Sequence, residues 1–151
     1  MGNNLINENY IKLEQDIHSQ DELFEAVANL AIEQNIATNK ADIIAGLKKR
    51  ESESTTGFQD GFAIPHTQLN TIAHPSILVI TTKNELEWNS MDGKPANFFI
   101  VLLIPKDQAG STHIQALSAV SKMLIHSNNR ESLKNSTKAS DIYQLLQDFV
   151  N

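Results

Sequence analysis

Cysteine is absent from this 151-residue sequence, which excludes disulfides, thiolate metal sites and a cysteine nucleophile, and which is typical of a reducing compartment. The longest apolar run, residues 98–104, is far shorter than the ~20 residues that span a bilayer. The first residues also lack the cationic and apolar segments of a secretory signal. We therefore expect a soluble, cytoplasmic domain with no direct membrane insertion.

Positive charge is also scarce, because 12 lysine and arginine residues stand against 18 aspartate and glutamate residues, for a formal net charge of −6. This balance argues against nucleic acid as the main partner, since no broad cationic face is available to displace counterions. A hydrophobic content of 40% with only 4 prolines is typical of a globular protein. The length fits a single domain over residues 1–151.

Helices are predicted where an N-cap residue precedes apolar residues at helical spacing. The first follows Ser19, and the second follows Asn39 and is expected to end near Arg50. A third begins at the capping box of Thr112 and Gln115, a short helical segment covers residues 130–133, and the last helix opens at Ser140. Their predicted buried residues are Leu23, Val27, Leu30 and Ala31; Ile43, Ile44 and Leu47; Ile114, Leu117, Val120 and Leu124; and Ile142, Leu145, Leu146 and Phe149.

Strands are predicted between these helices. The continuous apolar runs at residues 77–80 and 98–104 are typical of central strands buried on both faces. Residues 10–13 and 62–64 predict shorter strands, and the alternation of Leu86 and Trp88 predicts a short edge strand. Strands interleaved with helices on both sides indicate an α/β sandwich.

Histidines occupy the positions of greatest chemical interest. Walker A, Rossmann, Gly-x-Ser-x-Gly and His-Glu-x-x-His motifs are all missing. His66 directly follows Pro65 at the predicted end of a strand, and the proline restricts the backbone that leads into it, as a fixed nucleophile requires. His113 lies in the first turn of a helix that follows a buried strand, where unpaired N–H groups suit a phosphoryl group. Arg50 could supply a charged fork to phosphate oxygens.

Each of these residues also has a purely structural interpretation. A histidine after proline is more commonly structural than catalytic, and Arg50 alone is typical of a solvated cation at a helix end. The other histidines lack any such setting and are expected at the surface: His18, His74 and His126.

Three segments carry a resemblance to a known family. Residues 49–66 (KRESESTTGFQDGFAIPH), 88–95 (WNSMDGKP) and 102–113 (LLIPKDQAGSTH) resemble, in this order, the motifs of IIA components of the bacterial phosphoenolpyruvate-dependent sugar phosphotransferase system, fructose–mannitol type. The similarity extends from about residue 10 to the C-terminus. It implies a mixed-sheet α/β/α sandwich of about five strands that acts as a phosphoryl carrier.

The resemblance also assigns roles to individual residues. His66 aligns with the phosphorylated histidine of the family, His113 with a second active-site histidine and Arg50 with an arginine near the site. Asp60 aligns with polar or acidic residues of relatives and is a tentative further site residue, although Gln59 departs from the glycine that many members carry.

The implied reaction joins proteins to one another. His66 would accept a phosphoryl group from phospho-HPr and pass it to a cysteine of a separate IIB component, and through it to the membrane IIC, with no cofactor and no obligatory metal. A fructose-type sugar is favoured, but the sugar itself is not readable from the sequence.

Two alternatives stay open. A free-standing regulatory IIA protein would signal by its phosphorylation state. A metal site or phosphohydrolase would use His66, His113 and Asp60, although two histidines without a carboxylate cluster make a poor metal site.

Overall fold

The computed structural model describes residues 5–150, so residues 1–4 and 151 of the predicted domain lie outside the described range. The predicted α/β fold with a mixed sheet of about five strands is confirmed. The strands are β1 (Ile11–Gln15), β2 (Phe62–Ala63), β3 (His66–Leu69), β4 (Ser76–Leu86) and β5 (Ala96–Pro105). The helices are α1 (Gln20–Glu33), α2 (Lys40–Glu53), α3 (Ser111–Ile125), α4 (Ser127–Asn135) and α5 (Ala139–Val150), with short 3₁₀ segments at Glu8–Tyr10 and Lys106–Gln108.

The sheet has the order β1-β4-β5-β2, and β3 also pairs with β5. β4 and β5 are antiparallel, whereas β1 is parallel to β4 and both β2 and β3 are parallel to β5. β2 and β3 follow one another along the same edge of β5, separated by Ile64 and Pro65. His66 pairs with Leu102 and therefore opens β3, rather than ending a strand as predicted. The strand divides at Pro65 because proline has no N–H to give to the ladder.

Both faces of the sheet are covered by helices. Alternate residues of β5 point to opposite sides, so Phe99, Val101 and Leu103 join a core that α1 and α2 close. Phe98, Ile100 and Leu102 join a second core, closed by α3, α4 and α5. The two apolar runs predicted as central strands are confirmed as parts of β4 and β5.

The predicted caps of the first two helices are confirmed. Ser19 Oγ accepts the Glu22 N–H at 3.1 Å, and the side chain of Asn39 accepts the Asp42 N–H at 3.0 Å. The predicted end of α2 near Arg50 is wrong, because the helix continues to Glu53. Residues 48–53 contain mainly lysine, arginine and glutamate, which are good helix formers, so nothing ends the helix before Ser54.

The predicted edge strand at Leu86 and Trp88 is also wrong. Leu86 is the last residue of β4, and Trp88 lies in the loop that follows. The indole is buried by packing between Phe24 and Phe99, with ring centroids 5.6 and 4.7 Å away. Aromatic packing therefore buries Trp88, whereas Leu86 is buried as a strand residue that pairs with Ala96.

Two predicted core residues are exposed. α3 begins at Ser111 with Gly110 at its N-cap and no side-chain cap, so the predicted capping box at Thr112 does not form. Ile114 is 65% exposed, because it lies two residues before the buried Ala116 and hence about 200° around the helix from it. Phe149, in the last turn of α5, is 43% exposed.

Candidate active site

His66 is held rigidly at the start of β3. Its side chain is only 8% exposed, and Pro65 restricts the backbone in front of it. The Nδ1 atom lies 2.8 Å from the Ile64 carbonyl oxygen. A carbonyl can only accept, so Nδ1 carries the proton and the neutral ring holds its free lone pair on Nε2.

Arg50 selects the same tautomer from the other side of the ring. Its Nε–H donates to His66 Nε2 at 3.1 Å, and a guanidinium can only donate. Its Nη1 donates to the carbonyl oxygen of Ser54 at 2.8 Å, which fixes the guanidinium against the end of α2. The two ring nitrogens of His66 are therefore distinguished by their partners, and Nε2 is the nucleophilic one.

The close approach of α2 to β3 depends on Gly46. A Cβ at this position would lie 2.6 Å from Thr67 Oγ1 and 3.1 Å from Leu69 Cδ1, so no side chain fits without movement. Arg50 lies one turn further along the same helix face, and His66 directly precedes Thr67. The missing side chain thus lets the helix come near enough for the hydrogen bond between Arg50 and His66. The sequence analysis missed Gly46, since its neighbours come from another part of the chain.

His113 comes to the same place from the opposite helix layer. Its ring centroid lies 5.2 Å from that of His66, with an angle of 50° between the ring planes. It belongs to the first turn of α3, as predicted, and because Gly110 provides no side-chain cap, the first N–H groups of the helix are left without one. Within residues 5–150 its Nδ1 is buried without a hydrogen-bond partner. The structure therefore brings together three residues that the sequence analysis selected: His66, His113 and Arg50.

The surroundings favour neutral imidazoles. Burial lowers the pKa of His66, more than the hydrogen bond to the Ile64 carbonyl raises it, and the nearby Arg50 and His113 lower it further. Burial also lowers the pKa of His113, with Arg50 as a second cause. Both rings are thus uncharged at neutral pH, which leaves the lone pair of His66 Nε2 free for nucleophilic attack.

Asp60 is not part of this group. Its carboxylate binds Lys134 Nζ at 2.6 Å and Arg130 Nε at 3.2 Å, and these cations lower the pKa of Asp60. Arg130 also donates to the carbonyl oxygen of Leu124 at 2.7 Å. In the described part of the chain no hydrogen bond joins Asp60 to either site histidine or to Arg50. Asp60 therefore connects the turn before β2 to α4.

A cavity of about 560 Å³ lies near the start of β5 and is lined by Glu14, Asp60, Asn97 and Lys134 among others, whereas His66 pairs with the other half of that strand. The lining of this cavity does not include His66, His113 or Arg50. Of the other three histidines, His18 and His126 are exposed as predicted, and His74 is half-buried, with Nε2 3.5 Å from the Tyr10 hydroxyl.

No group of three or more histidine, aspartate or glutamate side chains among residues 5–150 is arranged to hold a metal ion. Over the same range, no helix combines the length and the apolar composition that crossing a membrane requires.

Comparison with known proteins gives consistent matches. A family model described as "Phosphoenolpyruvate-dependent sugar phosphotransferase system, EIIA 2" matches residues 4–149. The PTS system fructose-specific EIIA component of Haloferax volcanii is 28% identical over 140 residues, which is 93% of this chain and 90% of that protein. The nitrogen regulatory protein of Pseudomonas aeruginosa is 29% identical over 133 residues, which is 88% of this chain and 86% of that protein.

Solved structures agree in fold. The nitrogen regulatory protein IIA-Ntr from Neisseria meningitidis has a TM-score of 0.87 at 27% identity, over 94% of this chain and 96% of that chain. The complex of enzyme IIA and phosphorylated enzyme IIB for mannitol from Escherichia coli has a TM-score of 0.78 at 13% identity, over 95% of this chain and 99% of that chain. The chain therefore belongs to the EIIA type 2 family of the phosphoenolpyruvate-dependent sugar phosphotransferase system, whose members are phosphotransferase components.

Proposed function

We propose that this protein, as a single domain over residues 1–151, carries a phosphoryl group on His66 Nε2, between phospho-HPr and a IIB component during sugar uptake in the cytoplasm. The observation that supports this most directly is the tautomer of His66. The Ile64 carbonyl and Arg50 together leave the lone pair on the nitrogen that faces the guanidinium. The ring of His113 lies 5.2 Å from that of His66, centroid to centroid, and His113 with the start of α3 offers further stabilisation for a dianionic group.

The transfer exchanges one N–P bond for another. The Nε2 lone pair attacks phosphorus while the N–P bond to the donor imidazole breaks, and the donor nitrogen takes back the electron pair. Arg50 then donates to a phosphoryl oxygen instead of to Nε2, so the same guanidinium serves the free and the phosphorylated states. No proton has to leave the attacking nitrogen, because it carries none.

Onward transfer requires an acceptor outside these residues. The 151 residues contain no cysteine, so the thiolate that attacks phosphorus in a IIB component has to come from elsewhere. The sulfur–phosphorus bond forms as the bond to His66 Nε2 breaks. A sugar of the fructose type is favoured, since the name of the Haloferax relative specifies fructose.

A second candidate is a regulatory protein that signals through the phosphorylation state of His66. It is favoured by the similarity to the nitrogen regulatory proteins, including the TM-score of 0.87 to IIA-Ntr. The chemistry at His66 would be the same, and only the recipient of the signal would differ.

Incubation with phosphoenolpyruvate, enzyme I and HPr tests the proposed carrier. We expect one acid-labile phosphoryl group by intact mass, absent in His66→Ala and present in His126→Ala, a matched control at an exposed histidine. His113→Ala should still accept the group but should transfer it onward about tenfold more slowly, since an alignment and charge contribution is lost. Retention of the label by His66→Ala would rule out the assignment.

A second assay separates the transport function from the regulatory one. The phosphorylated protein is mixed with purified fructose-type IIB domains, and loss of the label from His66 is followed by mass. Rapid, stoichiometric transfer to a IIB cysteine supports transport. Stable label with every IIB, together with binding to a target protein that depends on the label, supports regulation.

A further inference from the structure

Glu51 follows Arg50 in the last turns of α2, and its carboxylate binds the next segment of chain at two points. Oε2 accepts the Thr56 backbone N–H and Oε1 accepts the Thr56 hydroxyl, each at 2.6 Å. The Trp88 indole N–H donates to the same hydroxyl oxygen at 3.2 Å. Thr56 is 9% exposed, and its N–H, hydroxyl and carbonyl groups all have partners within the protein. Thr56 therefore has one defined position relative to α2.

Two further hydrogen bonds, both made by backbone carbonyl groups, link Thr56 to His66. The carbonyl oxygen of Thr56 accepts the Ile64 N–H at 3.0 Å, and the carbonyl oxygen of Ile64 accepts the Nδ1–H of His66 at 2.8 Å. On the other side of the ring, Nε2 accepts from Arg50, the residue directly before Glu51. The hydrogen bonds thus close a ring that starts and ends at two adjacent residues of α2.

We propose that Glu51 is a positioning residue that sets the tautomer and orientation of His66 through Thr56 and Ile64. The inference rests on the proposed function for its kinetic consequence, but the tautomer of His66 exists without any phosphoryl donor. Because Arg50 and Glu51 are neighbours, the same helical turn holds both sides of the imidazole. Any shift of α2 then moves the donor to Nε2 and the support of Nδ1 together.

The chemistry at Glu51 explains why a carboxylate is needed there. Thr56 presents two donors, a backbone N–H and a hydroxyl, and a carboxylate has two acceptor oxygens. A glutamine has one acceptor oxygen and one NH₂ group, so one of the two donors would face another donor. The hydroxyl oxygen has a second lone pair beside the one that accepts from Trp88, but if it accepted from the amide its own proton would lose the acceptor that Glu51 provides.

The test compares Glu51→Gln with Glu53→Gln, a matched control on an exposed residue of the same helix. In the unphosphorylated protein, long-range ¹H–¹⁵N NMR should show His66 as the Nδ1–H tautomer in the wild type and in the control. Glu51→Gln should show a clear Nε2–H population. Its phosphorylation by HPr at saturating donor should be about tenfold slower with an unchanged KM for the donor, because orientation and not docking is altered.

A second pair of variants distinguishes the proposed effect from a general loss of stability. Thr56→Val removes the hydroxyl, whereas Thr56→Ser keeps it, so the valine variant should reproduce the Glu51→Gln tautomer mixture and the serine variant should restore the wild-type spectrum. A wild-type tautomer in both Glu51→Gln and Thr56→Val overturns the proposal, even when thermal stability falls. A wild-type protein that HPr does not phosphorylate would refute the proposed function alone, since the tautomer readout still decides the role of Glu51.

Discussion

Replacing Gly46 with alanine should disconnect Arg50 from His66 without unfolding the protein. The new Cβ would lie 2.6 Å from Thr67 Oγ1, so α2 must move out by about 0.8 Å to reach an ordinary contact of 3.4 Å. Thr67 cannot easily yield, because its side chain is β-branched and it lies in a strand paired with β5. Arg50 moves with the helix, since its guanidinium is bound to the Ser54 carbonyl at the end of that helix.

The structure sets the size of the effect. A movement of about 0.8 Å takes the 3.1 Å contact between Arg50 Nε and His66 Nε2 beyond hydrogen-bond range. A hydrogen bond to a charged group contributes about 1.5–3 kcal/mol, equivalent to about 10–100-fold in rate if it acts in the transition state. The stability change is smaller, because alanine gains about 0.8–1.0 kcal/mol in helix propensity over glycine and overpacking costs about 1–3 kcal/mol.

Three measurements test this reasoning on Gly46→Ala. We expect phosphorylation by HPr to slow at least tenfold, thermal unfolding to change little, and the pKa of His66 to rise toward its ordinary value as the guanidinium moves away. The double variant Gly46→Ala/Thr67→Ala removes the contacted hydroxyl and should recover most of the rate, with Thr67→Ala alone as the control. A Gly46→Ala protein with the wild-type rate and the wild-type His66 pKa would refute the close-approach explanation.

Two further predictions follow from the charges. Burial lowers the pKa of His66 and of His113, so below about pH 6.5 the unfolded chain binds more protons than the folded one. The free energy of unfolding should therefore fall as the pH drops through that region. His66→Ala should flatten this pH dependence in urea titrations, and an unaltered slope would contradict the lowered pKa. In Asp60→Asn the asparagine tolerates the positive φ of 59°, but the ion pairs to Arg130 and Lys134 are lost. We expect the free energy of unfolding to fall by about 1 kcal/mol and the phosphorylation rate to stay unchanged. A slower rate at unchanged stability would instead indicate that Asp60 acts in the active site.

Much of the fold was predictable because its signals are local. The caps at Ser19 and Asn39 act on an N–H three residues away, and the continuous apolar runs within β4 and β5 indicate burial on both faces. The errors arose where distant residues decide burial. Trp88 alternates with Leu86 like a strand residue, yet its indole is buried by aromatic rings from α1 and β5.

The site divides in the same way. The sequence around Pro65 indicated a histidine on a restricted backbone, and the strand–loop–helix pattern placed His113 at a helix start. Neither pattern could assign the partners of Asp60, which are Arg130 and Lys134, at least 70 residues away along the chain. An aspartate before a glycine favours a turn whatever its distant neighbours, and only the packing of α4 determines which cations neutralise it.

The amino-acid order alone thus determined the alternation of helices and strands, the rigid approach to His66 and the absence of any thiol chemistry, since these depend on residue types and on spacings of a few residues. The tertiary structure decided which nitrogen of His66 is free. That choice depends on Arg50, 16 residues earlier, coming within 3.1 Å of the ring. This approach is possible because Gly46 has no Cβ to collide with Thr67. The sequence alone could not indicate this, since the two residues come together only when α2 packs against β3.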